Sequence, residues 1–200
     1  MAISLEKGHK GRLEKKRAAG LGEILVNLNW NAKPVNQGFF ARLRGSGGID
    51  LDLGCLYELK NGQKSAVQAL GNAFGSLTQP PYISLDGDDR TGASAAGENL
   101  RVNGDKISEF KRILVYTFIY EGVANWRQAD AVVTIRYPGA EDIVIKMDEF
   151  NTTNRMCALA MLENVGDETF SVEKLIKFFP GHQMMDQSFG WGLKWTPGRK

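Results

Sequence analysis

Residues 49–60 alternate with period two: Leu51, Leu53, Cys55, Tyr57 and Leu59 fall on one side, and Asp50, Asp52, Gly54, Leu56, Glu58 and Lys60 on the other. That pattern predicts a strand with one face in a core and Cys55 on that face. Asn61-Gly62 follows and suits the two positive-φ positions of a type I′ turn, so residues 63–70 are predicted to return as the hairpin partner. Residues 23–30 alternate likewise, Ile24, Val26, Leu28 and Trp30 against Glu23, Leu25, Asn27 and Asn29, with only Leu25 out of place. Residues 31–48 hold a proline, several glycines and Phe39-Phe40, and predict a long loop or a short irregular strand.

Residues 82–85 form a short strand after Pro80-Pro81, and 100–102 another, followed by a turn at Asn103-Gly104. Residues 110–120, FKRILVYTFIY, are apolar on both faces and rich in β-branched and aromatic side chains, the composition of a central strand covered on both sides. Residues 124–130 fit one helical turn; 131–137 and 142–147 are strands around Pro138-Gly139. Residues 156–165 and 169–179 form a hairpin across Gly166-Asp167. The end, GHQMMDQSFGWGLKW, predicts a short amphipathic helix followed by a glycine-punctuated strand. Strands recurring with turn signals between them and no long helical period predict an all-β fold, an antiparallel β-sandwich with one or two short helices. No repeat or linker divides residues 1–200, which form one predicted domain.

Composition narrows the function. Hydrophobic residues at 42% and charged residues at 24% are ordinary for a globular chain. A net charge of +2 gives no footprint for nucleic acid. No apolar run approaches the ~20 residues of a membrane span, and the start lacks a signal-peptide apolar region, so the expected location is cytoplasmic. Residues 7–17 carry seven basic or potentially basic side chains against Glu14 and are expected to form a solvated terminal strand or arm. Two cysteines, Cys55 and Cys157, are too few for a disulfide framework or a four-cysteine zinc site, and are expected as buried thiols.

The chemistry concentrates in residues 85–100, LDGDDRTGASAAGENL. Asp86, Asp88, Asp89, Glu98, the Asn99 amide and the Thr91 and Ser94 hydroxyls offer hard oxygen donors, and the glycines allow the left-handed turns of a chain wrapping an ion. This is not an EF-hand. With Asp86 as position 1, Thr91 stands where that loop needs glycine and Gly97 where it needs glutamate. Asp50 and Asp52 share a strand face with Cβ atoms about 7 Å apart and join the site if their strand lies beside this loop. Spacing alone fits a hydrated polar turn as well as a metal site.

IDLDLGCLY, DGDDRTGASAAGENL, FKRILVYTFIYEGVANW, MCALAMLEN and FGWGLKW, with SLEKG and GEILVNLNW before them, resemble the TerD/TerA family of bacterial tellurium-resistance and stress proteins over nearly the whole chain. The resemblance implies a β-sandwich that binds calcium through its acidic segments and works with other proteins of a stress-response complex. The family's G-D-N-x-T-G run falls on residues 87–92, and its D-x-D on Asp50 and Asp52. The implied metal set is therefore Asp50, Asp52, Asp86, Asp88, Asp89, Thr91, Glu98 and Asn99. Two departures matter: Ala93, Ser94, Ala95 and Ala96 stand where relatives carry further acids, and Asn29-Trp30-Asn31 replaces Gly-Trp-Asp. Fewer carboxylates imply one or two calcium ions.

Two rival readings remain. A hydrolase-type enzyme would draw on His182, Cys157, Cys55 and Asp186, but no G-x-S-x-G, H-E-x-x-H or Cys/His signature frames them, so the chain is expected not to be an enzyme. A metal-independent binding module would present Arg90, Trp126, Arg127, Trp191 and Trp195.

Overall fold

The structure, a computed structural model, describes residues 3–4, 8, 10–13, 20–30, 49–86, 97–122, 124–147 and 152–196. Seven strands form one sheet: β1 (Ile3–Ser4), β3 (Glu23–Asn29), β6 (Gly75–Ser76), β7 (Ile83–Leu85), β8 (Glu98–Asn103), β10 (Val132–Arg136) and β11 (Ile143–Lys146), in the order β1-β11-β10-β3-β8-β7-β6. Six form the other: β2 (Lys10–Arg12), β4 (Asp50–Leu59), β5 (Lys64–Gln68), β9 (Phe110–Glu121), β12 (Met156–Val165) and β13 (Thr169–Phe179), in the order β2-β13-β12-β9-β4-β5. β1 runs parallel to β11; the other ladders are antiparallel. The sandwich expected from the alternation is therefore the fold, with two α-helices among the described residues, α1 (Trp126–Ala129) and α2 (His182–Phe189).

The alternating apolar set of β4 does what its spacing predicts: Leu51, Leu53, Cys55, Tyr57 and Leu59 pack between the sheets with Val26, Leu28, Leu100 and Val133. The other face of β4 is also covered. Leu56 packs outside the six-stranded sheet with Leu114, Tyr116, Phe118 and Met156, under Met185 of α2 and Trp191. Burying each such large side chain contributes about 1.5–3 kcal/mol; all ten residues of β4 are buried, Asp50 and Asp52 included. β9, flanked by β12 and β4, is the central strand its doubly apolar pattern predicts. Both thiols are free and buried, and burial pushes Cys55 up to about 12, so it stays a thiol near neutral pH.

The structure corrects three expectations. The β4–β5 hairpin exists, but of the Asn61-Gly62 pair only Gly62 takes a positive φ; Asn61 instead accepts the Gln63 N–H through its side chain, giving a three-residue turn. The double positive φ expected there occurs at Gly166 and Asp167. Residues 104–109 form a 3-10 helix and not a simple turn, with the Asn103 side chain accepting from Asp105 N–H. Residues 191–196 join no sheet, because Asp186 takes the Gly192 and Leu193 N–H groups that a ladder would use. The strand expected within the basic stretch is present at Lys10–Arg12: β2 pairs with β13 as an edge strand, and Lys10 lies 3.1 Å from Glu173. No described helix is long and apolar enough to cross a membrane.

Candidate metal centre

Residues 87–96, and with them Asp88, Asp89 and Thr91, lie outside the described residues, as does Arg90. What the structure places is the frame around them. Asp86 follows β7 and its N–H donates to Asn99 O at 2.8 Å, while Glu98 opens β8. Gly97 takes φ +61 where the chain re-enters the sheet. A Cβ there would lie 2.2 Å from Leu28 O and 2.6 Å from Asn29 Oδ1, so only glycine fits against β3. On the other side, Trp30 Nε1 donates to Ile49 O at 2.9 Å and ties the end of β3 to the start of β4.

The sequence leaves open whether the acidic stretch lies beside the D-x-D strand. Its described end does: the Leu53 N–H donates to Glu98 Oε2 at 2.7 Å. β4 runs past the end of β5, whose last partner is Gly54, and there Glu98 reaches across from the other sheet. Asp50, Asp52 and Glu98 are 7%, 0% and 2% exposed. Asp50 and Asp52 project with Gly54 and Leu56 toward the outer face of their sheet, whereas Glu98 lies with Leu100 and Val102 on the inner face of the other. The three carboxylates thus meet one stretch of β4 from two directions. Asp52 also helps hold the Tyr116 phenol well above its ordinary range, after burial and alongside Cys55.

Two of the nominated residues are directed elsewhere. The Asp86 carboxylate receives Arg101 Nε at 3.0 Å and Nη2 at 3.0 Å, and Arg101 also binds Glu23. The hydrogen bonds that Arg101 gives to Asp86 and then to Glu23 raise its pKa further. Asn99 lies opposite Glu98 on β8 and accepts from Asn27 Nδ2 at 2.8 Å, while Asn27 accepts from Asn29 Nδ2. Asp86 and Asn99 therefore belong to the outer face of the seven-stranded sheet. Among the described residues no three Asp, Glu, His or Cys side chains converge closely enough to hold a metal ion by themselves. The donor chemistry fits a hard cation: buried carboxylates on β4 and at the start of β8, the strand that follows the acid-rich stretch in sequence.

Sequence reasoning missed a charged cluster at the far end of β4. Glu58, 4% exposed, accepts Lys111 Nζ at 2.7 Å and Arg112 Nε at 2.7 Å, with Lys64 at 3.6 Å. Burial opposes its ionisation, but the hydrogen bonds from Lys111 and Arg112 outweigh that and bring its pKa down to about 2. Arg112 also donates to the Phe189 and Gly190 carbonyls and stacks 3.8 Å from the Trp191 ring, so the cluster fastens the C-terminal segment. Trp126 and Trp191, at 0% and 2% exposure, are packing residues and not the surface contacts a binding module would present. Arg127 is exposed and Trp195 half-buried. Asp186 accepts from Trp195 Nε1 at 2.9 Å as well as from the two N–H groups above, a structural cap.

Several known proteins are similar to this chain. The TerD domain family matches residues 1–142. The chain is 41% identical to a tellurium resistance protein TerA of Alcaligenes over 99% of its own length and 58% of that protein's. It is 35% identical to the stress response protein SCP2 of Bacillus subtilis over 62% of this chain and 63% of that one. It thus spans about three fifths of the curated relatives it matches. A solved homologue of the telluride resistance protein TerD from Streptomyces coelicolor superposes with a TM-score of 0.60 at 16% identity, covering 84% of this chain and 95% of that one, a likeness of fold.

Proposed function

The chain belongs to the TerD family of tellurium-resistance and stress-response proteins, and on that premise we propose that it binds one or two calcium ions where its acidic stretch meets β4. The observation that carries this reading is the 2.7 Å bond from Leu53 N–H to Glu98 Oε2, which joins the end of that stretch to the strand bearing Asp50 and Asp52. Asp50, Asp52 and Glu98 are the described part of the ligand set; Asp88, Asp89 and Thr91 are the part nominated by sequence. Calcium accepts six to eight oxygens in flexible geometry, whereas magnesium demands a near-ideal octahedron, so a site assembled from two strands and a glycine-rich stretch favours calcium. Asp86 serves by position: paired with Arg101, it anchors the entry of the stretch at the sheet edge. The bound ion offsets the repulsion of clustered carboxylates and fixes a surface for partner proteins of a stress response.

A ligand that binds only the folded state adds about 2.7 kcal/mol at a hundredfold excess over Kd. Calcium added to the chelated protein therefore raises the thermal midpoint, and magnesium raises it less. Asp50→Ala and Asp52→Ala, tested separately, each diminish the calcium shift. An unchanged midpoint in wild-type protein overturns the reading.

A further inference from the structure

Among the described residues the six-stranded sheet ends on β5, the longest of the four edge strands: five residues, against two in β1 and β6 and three in β2. The register fixes which of its backbone groups face outward. Leu59 N–H donates to Gln63 O, and the pairing runs without a shift from Glu58↔Lys64 to Gly54↔Gln68, so Ser65 and Val67 turn their N–H and C=O groups to β4. Lys64, Ala66 and Gln68 turn theirs the other way. Gln68 demonstrates the direction, because its N–H donates at 2.9 Å to Ala73 O beyond the edge. No described strand pairs with β5 on that side, and no backbone bond from Lys64 or Ala66 accompanies that of Gln68. Ser65 between them is exposed. Two N–H and two C=O groups therefore stand open to solvent at ladder spacing.

A groove of about 360 Å³ is lined by this edge, by the turn at Leu70, Gly71 and Ala73, and by residues 193–196 of the C-terminal segment. Ala66, Leu70, Leu193 and Trp195 are only partly buried where they pack on the outer cluster, which leaves apolar surface beside the open backbone groups. The groove is positive: Lys64 and Lys194 line it, and no Asp or Glu does. Lys64 lies 3.6 Å from Glu58 and 3.4 Å from Trp191 O. Glu58 is already held at 2.7 Å by both Lys111 and Arg112, so one carboxylate serves three cations and leaves Lys64 largely uncompensated. Lys194 is exposed and joins no ion pair among the described residues.

We propose that β5 takes an extended acidic peptide of a partner protein as an added strand. Main-chain bonds to Lys64 and Ala66 hold the peptide, and its side chains select it. A residue opposite Lys64 or Ala66 lies on the same sheet face as that residue, the outer face that carries Leu56. In the antiparallel sense the peptide therefore reads apolar, any residue, acidic. The apolar side chain opposite Ala66 meets Leu70, Leu193 and Trp195, and the acid two positions later meets Lys64 and Lys194. A second copy of the chain is the poorer occupant, because β5 laid against β5 brings the lysines of both copies to one edge.

The probe is the capped peptide acetyl-Thr-Leu-Thr-Glu-Thr-amide, with a version carrying Lys in place of Glu beside it, titrated into the isotope-labelled full chain. Amide hydrogen exchange and backbone shifts are read residue by residue, and the calcium site plays no part in the result. In the free chain the Ser65 and Val67 amides exchange slowly and those of Lys64 and Ala66 fast. The Glu peptide slows exchange at Lys64 and Ala66 and binds at least tenfold tighter than the Lys peptide. Ala66→Pro removes one outward N–H and leaves the ladder to β4 whole, so it lowers affinity tenfold or more without moving the thermal midpoint. Lys194→Glu, on an exposed side chain, reverses the preference between the two peptides. No slowing at Lys64 and Ala66, or unchanged affinity in Ala66→Pro, overturns the added strand. Equal binding of the two peptides, or an unaltered preference in Lys194→Glu, overturns the acidic partner. Slowing that grows with protein concentration in the absence of peptide makes a second copy the occupant and overturns the proposal as well.

Discussion

Glu58 and Glu98 are both buried against β4, 4% and 2% exposed, yet they are held by different chemistry. Glu58 sits between Lys111 and Arg112 on the neighbouring strand, so its counter-charge is built into the sheet. Glu98 Oε2 takes a neutral backbone N–H, with two more buried carboxylates on the strand it touches. The first arrangement is a structural ion pair that fastens the C-terminal segment. The second brings a carboxylate from the other sheet to the strand that carries Asp50 and Asp52, and it is there that the proposed cation would sit. Burial of a carboxylate therefore does not mark a site; the company it keeps does.

The largest break in this comparison comes from the Glu58 end. Glu58→Ala strands the largely buried Arg112 and is expected to cost about 3 kcal/mol in urea unfolding, equally with calcium and with chelator; a cost that depends on calcium erases the contrast. Acid probes the same group. Its folded pKa, about 2, lies below the ordinary 4.5, so its stabilisation is complete above about 4.5 and is lost as pH falls through about 2. Wild type should lose about 2–3 kcal/mol over that window in unfolding titrations, and Glu58→Gln should flatten that limb. Gly97→Ala comes next, at about 2 kcal/mol, from its positive φ and its contact with Leu28 O; unchanged stability would show that the re-entry into β8 can shift. Arg101→Gln has the smallest effect, up to about 1 kcal/mol, since Arg101 is partly exposed. It should weaken calcium binding only modestly, because Asp86 acts by position; a loss as large as that of Asp52→Ala would make Asp86 a ligand.

β9 was legible as a run apolar on both faces, and period-two alternation made β4 legible, because a one-residue slip would move its apolar set off the core face. The same rule separates Glu98 from Asn99. Starting the strand at 98 instead of 100 puts Glu98, Leu100 and Val102 on one side and Asn99, Arg101 and Asn103 on the other, as the structure has them. Contacts between residues remote in sequence were not legible. The pairing of Asp86 with Arg101, the Arg112 stack on Trp191 and the bond between Leu53 and Glu98 depend on how two sheets are laid together, which no local pattern encodes. The burial of His182 among three aromatic rings was not legible either, because those neighbours come from β9 and the C-terminal segment.

Calorimetry of calcium into the chelated protein tests the central claim most directly when wild type, Glu98→Gln and Glu58→Gln are run side by side. The account predicts a saturable heat in wild type, the same affinity in Glu58→Gln, and a loss of tenfold or more in Glu98→Gln, whose amide oxygen can still accept the Leu53 N–H but carries no charge. No heat in wild type, or equal affinity in all three, would contradict it.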